Sequence, residues 1–425
     1  MDISYAVPVR FLFHFGPRWI AAILFGITAK TAVAQIYTDP FGYHTMVVPG
    51  SSHGLVSIFL VNGVGFTGTV SEVTEAGVRF TSPISSSVFG SVGLGFADVR
   101  QGVMAGLAIP SSGIEDNFLK LERSPVGLIA PGDVLGVRRE RTIGETFGVS
   151  SNEPLQPGPT AADADTLGLW DPATQSSRVF YLRTGEGWRE AGKENEGDKG
   201  ATPIRFPSAV ILGRRSATPL TVVLSGAVPV PWTQRFHPVW PGRNLISAPF
   251  SAEATVTSYL TSDQDGPWFV TEGTSAPKAD TLRFTLADGS LSPVMYFRKD
   301  AGWRTVGSEQ PVDSFALDFS KSLELQRIGG TGYVKFNFSA GSAAAAAQPL
   351  VSSDVEEVAP QSLGVSAEGM TLVWAAQPGE IYQVQSRPVG STSWSKVGEN
   401  VSATSTIAKH TFHCEGSGLL RIIKP

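Results

Sequence analysis

The chain has 425 residues, 42% of them hydrophobic and 17% charged, with a formal net charge of -5. That supply of apolar residues is enough for two or three separate cores, and the absence of any Lys/Arg cluster longer than Arg138-Arg139-Glu140-Arg141 excludes the electrostatic footprint of a nucleic-acid binder. A single cysteine, Cys414, excludes an intramolecular disulfide, so stability has to come from burial.

Residues 1–34 read as a signal peptide. Arg10 and Arg18 flank an aromatic segment, the apolar run from Trp19 to Thr28 is too short for a spanning helix, and Ala32-Val33-Ala34 offers a small-x-small cleavage site before Gln35. No later stretch is apolar for long enough to cross a membrane. The mature chain is therefore expected in the periplasm, at the cell surface or outside the cell, without a transmembrane segment.

From Ile36 to Ala340, short β-branched runs bounded by Gly, Pro and Asn predict a mainly β fold. Thr45 to Val48 precedes Pro49-Gly50, Leu55 to Val61 precedes Asn62-Gly63, and Thr69 to Val73 meets Val78 to Thr81 across Glu75-Ala76-Gly77. These are expected to be strands joined by tight turns.

Residues 164–192 match 279–307 without gaps at 12 of 29 positions, including ADTL, Tyr181/Tyr296, Arg183/Arg298 and the GWR elements at 187–189 and 302–304. Farther on, Phe206, Leu212 and Arg214 pair with Phe319, Leu325 and Arg327, and upstream Pro49-Gly50 and Leu55-Val56-Ser57 resemble Pro241-Gly242 and Leu245-Ile246-Ser247. Two related β-rich modules are expected, a first at 35–230 carrying an insertion and a second, shorter one at 231–340. Residues 341–362, with Ala343 to Ala347 and then small, acidic and proline residues, read as a linker. Residues 363–425 alternate apolar positions at Leu372, Trp374, Tyr382 and Val384 and end in an apolar run, Leu419 to Ile423, which predicts a small β-sandwich.

In TLVWAAQPGEIYQVQS and TSWSKVG this last part resembles the fibronectin type III-like modules of bacterial secreted proteins, a resemblance that implies spacing or adhesion. The whole mature chain resembles a family of uncharacterised secreted proteins expanded as paralogues in verrucomicrobial-type bacteria. The residues carrying that resemblance are Tyr37 to Tyr43, Gly132-Asp133-Val134-Leu135, the TIGETFG stretch from Thr142, and the ADTL and GWR elements. It implies a compartment and an architecture but no site. The second module shows no clear copy of GDVL or TIGETFG.

Motifs with chemical meaning weigh mostly toward structure. Gly63-Val64-Gly65-Phe66-Thr67-Gly68 fits a dinucleotide fingerprint, but the following residues alternate as a strand and offer no helix N-terminus for a pyrophosphate, so no cofactor is expected. Ser52 sits where a nucleophile elbow would place its serine, yet the matching turn Pro241-Gly242-Arg243-Asn244 has none. His410, His413 and Cys414 would need a loop to converge and lack a fourth ligand, so no metal is expected. Asp163, Asp165 and Asp280 are candidate acids for a sugar-cleaving enzyme, but only the second of the first pair recurs, as a turn carboxylate would.

The GWR elements remain. Trp188, Arg189, Trp303 and Arg304, with Tyr181 and Tyr296, read either as core corners or as an exposed aromatic platform for a sugar or peptide, with the core reading favoured. The expectation is a secreted or envelope-associated, non-enzymatic modular β-protein in matrix, adhesion or glycan contact. Its partner would be a polysaccharide or an envelope protein. The alternatives are a secreted carbohydrate-active enzyme and a self-assembling surface structural protein.

Overall fold

The computed structural model describes residues 41–148, 155–229, 234–247, 254–256, 270–286, 290–299, 301–312, 316–317, 322–337, 357–358, 360–366, 369–388, 391, 393–413 and 418–425. Residues 1–40, which include the expected signal peptide, lie outside the described residues, as do the alanine run and Cys414. The fold is mainly β, with several sheets, a small barrel and a single short α-helix, Ile143–Phe147, among the described residues.

Two five-stranded antiparallel sheets share one topology. The first runs in the order Gly187–Glu190, Ser176–Arg183, Thr166–Asp171, Val210–Gly213, His53–Val56. The second runs Gly302–Thr305, Met295–Arg298, Thr281–Phe284, Ser322–Arg327, Gly242–Ser247. Their registers also correspond. Thr166 faces Tyr181 and Thr281 faces Tyr296, Leu182 faces Trp188 and Phe297 faces Trp303, and Val210 faces Val56 as Leu323 faces Ile246. A one-residue slip would turn every inward side chain outward, so equal register means that the same positions are buried in both sheets.

Each sheet is flanked by a long two-stranded ribbon, Phe41–Val48 with Leu220–Ala227 in one half and Gln234–Val239 with Gly332–Asn337 in the other. Each also has a short ribbon, Arg141–Thr142 with Pro203–Ile204 and Ala254–Thr255 with Ala316–Leu317. Thr142 of the TIGETFG stretch therefore has its topological counterpart in Thr255, with buried Val256 standing where Ile143 stands. The similarity is spatial. In the first half, Thr142 and Glu145 form a reciprocal cap on the helix.

The insertion in the first half is a closed six-stranded barrel, in the order Phe66–Thr74, Gly77–Phe80, Phe118–Leu121, Ala108–Glu115, Gly95–Gln101, Val134–Arg139 and back. It lies between His53–Val56 and Arg141–Thr142, an interval that in the other half is only the six residues 248–253. Closure leaves no free edge, and the interior is filled by Val78, Phe80, Val99, Ile109, Leu119, Leu135 and their neighbours. The Glu75-Ala76-Gly77 turn demands its glycine, because a Cβ on Gly77 would lie 2.1 Å from the Leu119 carbonyl oxygen. After Gly68 the chain is strand, not helix, which removes the geometry a dinucleotide needs.

The C-terminal part is a two-sheet sandwich. Pro360–Ser366, Gly369–Ala375 and Ile407–Phe412 form one sheet, and Ile381–Pro388 with Gly418–Ile423 lie in the other. Leu372, Trp374, Tyr382, Val384 and Ile422 fill its core together with Tyr43 from the chain's first described strand. That strand pairs with the last one, Phe41 opposite Leu420 and Tyr43 opposite Gly418, so one sheet runs from the first ribbon into the sandwich. The expected linker 341–362 ends too late. Glu357–Val358 pairs with Ile422 and Ile423, and Pro360–Ser366 is a full strand; pairing with distant segments leaves no signature in local composition.

Candidate functional site

The GWR tryptophans and the tyrosines beside them are buried, as is Arg189, while Arg304 is partly buried. Trp188 and Trp303 are each 0% exposed, and Tyr181 and Tyr296 are nearly so. The Trp188 indole N–H donates to the Gly148 carbonyl at 2.6 Å, and its backbone N–H donates to Asp198 at 2.7 Å. Trp303 packs edge-on against Phe297 at 5.4 Å. Arg189 donates to the Trp188 carbonyl and Arg304 to the Trp303 carbonyl, the same local turn in both sheets. An exposed aromatic platform at these positions is thereby corrected: a ring enclosed by its own core has no face left for a ligand.

The ADTL carboxylates are equally committed. Asp165 accepts from the backbone N–H groups of Gln156 (2.7 Å) and Arg215 (2.8 Å) and from the Arg214 guanidinium. Asp280 repeats the set with the N–H groups of Thr271 (2.9 Å) and Ile328 (2.8 Å) and with Arg327 (3.0 Å). Each buried aspartate thus clamps the loop before its strand to the end of the neighbouring strand in the sheet. Gly158 and Gly273 make the same parallel bridge to Arg183 and Arg298, and a Cβ on either would strike backbone of its own loop. The repeat extends upstream of ADTL through this glycine, a signal that sequence comparison missed. Asp163 is exposed and accepts from Thr160, away from the clamp.

The other motifs are dispersed. Ser52 Oγ donates to the Pro49 carbonyl in a turn and the chain continues as a strand. His410 lies on the strand Ile407–Phe412, stacked on Phe412. Among the described residues no group of three His, Cys, Asp or Glu side chains could hold a metal ion. No helix among them is long and apolar enough to cross a membrane.

A cleft of about 450 Å³ opens where the barrel, the first sheet and the second sheet meet. Its walls include Leu94, Pro110 and Glu122 from the barrel, Leu169 to Ala173 and Pro203 to Ala209 from the first half, and Pro238, Trp240 and Asn244 from the second. Two partly buried indoles line it. Trp170 donates its N–H to the Arg243 carbonyl at 2.8 Å and has the Arg243 guanidinium over its ring, and Trp240 carries the Arg123 guanidinium 3.8 Å from its ring centre. Asn244, itself buried, bonds both the N–H and the carbonyl of Trp240. Size, junction position and an apolar lining with a few polar groups are the features of a ligand site.

The cleft wall at Arg205 to Ser208 rests on a buried acid. Glu140 Oε2 accepts the Phe206 N–H at 3.0 Å, while Oε1 has no hydrogen-bond partner among the described residues. Burial pushes its carboxyl up to about 8, against the pull of the Arg205 guanidinium and the Phe206 N–H. Close by, His237 packs between Phe206 and Phe336 with both ring nitrogens unpartnered, and burial, aided by Arg235, holds its pKa well below the ordinary value. Neither residue stood out in the sequence, because a lone Glu in an Arg-rich run and a lone His carry no spacing signal.

Compared with known proteins, the chain matches no family model, and no curated protein is significantly similar to it.

Two outcomes follow from these side chains. Asp280→Ala strips a buried arginine of its partner, and a loss of about 3 kcal/mol is expected in urea unfolding, against little change for Asp163→Ala. Glu140 binds in the folded state a proton that the unfolded chain releases above the ordinary carboxyl range. Its stabilising contribution is full below about 4.5 and is lost as pH rises through about 8. Glu140→Gln, which mimics the protonated acid, should flatten the fall in the urea midpoint between about pH 5 and about pH 9; equal falls in both proteins would contradict this assignment.

Proposed function

We propose that the chain is an exported, non-enzymatic β-scaffold, arisen by duplication of one β-rich module, whose junction cleft makes contact with a glycan. The observation that carries this reading is the division of labour between repeated and unrepeated residues. Positions common to both halves are consumed by the fold, whereas the indoles in the cleft break the repeat: Trp170 stands where the second half has Thr285, and Trp240 where the first has Val48. Indole faces stack on the C–H faces of a sugar ring, and the partly exposed Glu122 and Arg178 side chains at the cleft suit its hydroxyls.

Catalysis finds less support. Asp165 and Asp280 are bonded to arginine and backbone, Glu122 is paired with Arg205, and Asp171 accepts from Ala173 and Thr174 within its own turn. Edge-to-edge self-assembly is disfavoured too, since the outer strands of both sheets have carbonyls already taken, Trp188 by Lys199 N–H and Trp303 by Val312 N–H. Export rests on the signal-peptide reading of residues 1–34, and the fibronectin type III-like character of the C-terminal sandwich would serve spacing from the envelope.

The test is capture of the chain from Gln35 onward on a panel of insoluble polysaccharides. The double variant Trp170→Ala/Trp240→Ala, checked for folding by circular dichroism, should bind at least about tenfold more weakly. Wild-type binding to none of the panel, or undiminished binding by the folded variant, would overturn the glycan reading.

A further inference from the structure

We propose that Glu140 is a proton-operated latch on the cleft: while it is protonated, Arg205 clasps Glu122 of the barrel, and its ionisation draws Arg205 inward and releases the wall formed by residues 203–209. This rests on the reading of the cleft as the ligand site.

The geometry begins with Arg205. One of its terminal nitrogens bonds Glu122 at 2.5 Å, a pair about one-third exposed on both sides, and the other, Nη1, is buried without a partner among the described residues. On the inner side lies Glu140, 1% exposed, with one oxygen on the Phe206 N–H and the other unpartnered among the described residues. Arg205 is therefore placed between a solvent-accessible acid and a buried one, and it lies close enough to both Glu140 and its own cleft wall for one movement to affect both.

Of the other charged groups nearby, Arg139 is paired with Glu145 at 2.5 Å, and Arg141 donates to the Ser225 carbonyl and answers to Glu145 and Arg139 rather than to Glu140. Asp98 is held by Arg138 and Arg235, and His237 is uncharged. When Glu140 gives its proton to solvent, the new charge is cut off from bulk solvent by burial, and Arg205 is the cation whose charge acts on it and whose Nη1 has no partner among the described residues. A solvent-accessible ion pair contributes little, whereas a buried unpaired carboxylate is strongly unfavourable, so the inner pairing wins. The carboxyl of Glu140 is raised to about 8, which puts the exchange in mildly alkaline solution. Loss of the Glu122 clasp then unties the wall from the barrel.

Hydrogen–deuterium exchange of the peptide spanning 203–209, in the whole protein without ligand and corrected for the intrinsic pH dependence of exchange, reads the latch directly. In the wild type, protection should fall about threefold with a midpoint near pH 8. Glu140→Gln should stay protected throughout. Glu122→Gln, at a partly exposed site that tolerates the change, should show low protection at every pH and no step. A flat wild-type profile, a step retained in Glu140→Gln, or a wild-type step in Glu122→Gln would each overturn the proposal; should Glu140→Gln fail to fold, the Glu122→Gln profile decides. Because no ligand is present, failure of polysaccharide capture would leave this result standing, and the two proposals fail separately.

Discussion

The carboxylate of Asp98 ties the barrel to the second half of the molecule through the ribbon strand that carries Pro238 into the cleft wall. It is fully buried; one oxygen accepts from Arg138 Nε and Nη2 at 3.2 and 3.1 Å and the other from Arg235 Nη1 at 2.9 Å. Arg138 belongs to the barrel's last strand and Arg235 to the second long ribbon. Around this pairing the backbones meet directly: Phe236 N–H donates to the Gly106 carbonyl, and a Cβ on Gly106 would come within 2.2 Å of the Gln234 carbonyl oxygen. Buried charges shared three ways fix a geometry rather than add much net stability, since each ion had to leave water. Here the geometry fixed is the angle between cleft walls.

The two sheets show how a repeated unit is built from few rules. An aspartate, an arginine some fifty residues later and a glycine in the preceding loop lock three segments together, and a tryptophan closes the outer hairpin of each sheet. Such a unit tolerates a large insertion between its first strand and its short ribbon because the ends of that interval are already held. The barrel occupies this interval in one half and six residues suffice in the other. Chemical individuality then enters through residues that the two halves do not share.

Local signals in the sequence foresaw local structure. Thr45 to Val48 falls in the strand Phe41–Val48, which starts four residues earlier, Val78 to Thr81 overlaps Gly77–Phe80, and the matched ADTL and GWR elements land on equivalent strands in equal register. The strand expected over Leu55 to Val61 stops at Val56, where the chain turns away under the second sheet and Ile58 N–H bonds Ser247. Barrel closure, the pairing of Phe41–Val48 with Gly418–Ile423, and the cleft all depend on contacts between distant segments, which no window of sequence records. Trp170 and Trp240 escaped notice for the same reason that the GWR tryptophans attracted it: repetition marks what the fold needs, and these two indoles do not repeat.

The most direct test of this account is hydroxyl-radical footprinting of the eight tryptophans of the chain from Gln35 onward with and without a captured polysaccharide. The account predicts protection on binding at Trp170 and Trp240, with Trp188 and Trp303 unreactive in either state. Protection confined to the C-terminal Trp394, or reactive Trp188 and Trp303 that the polysaccharide shields, would contradict it.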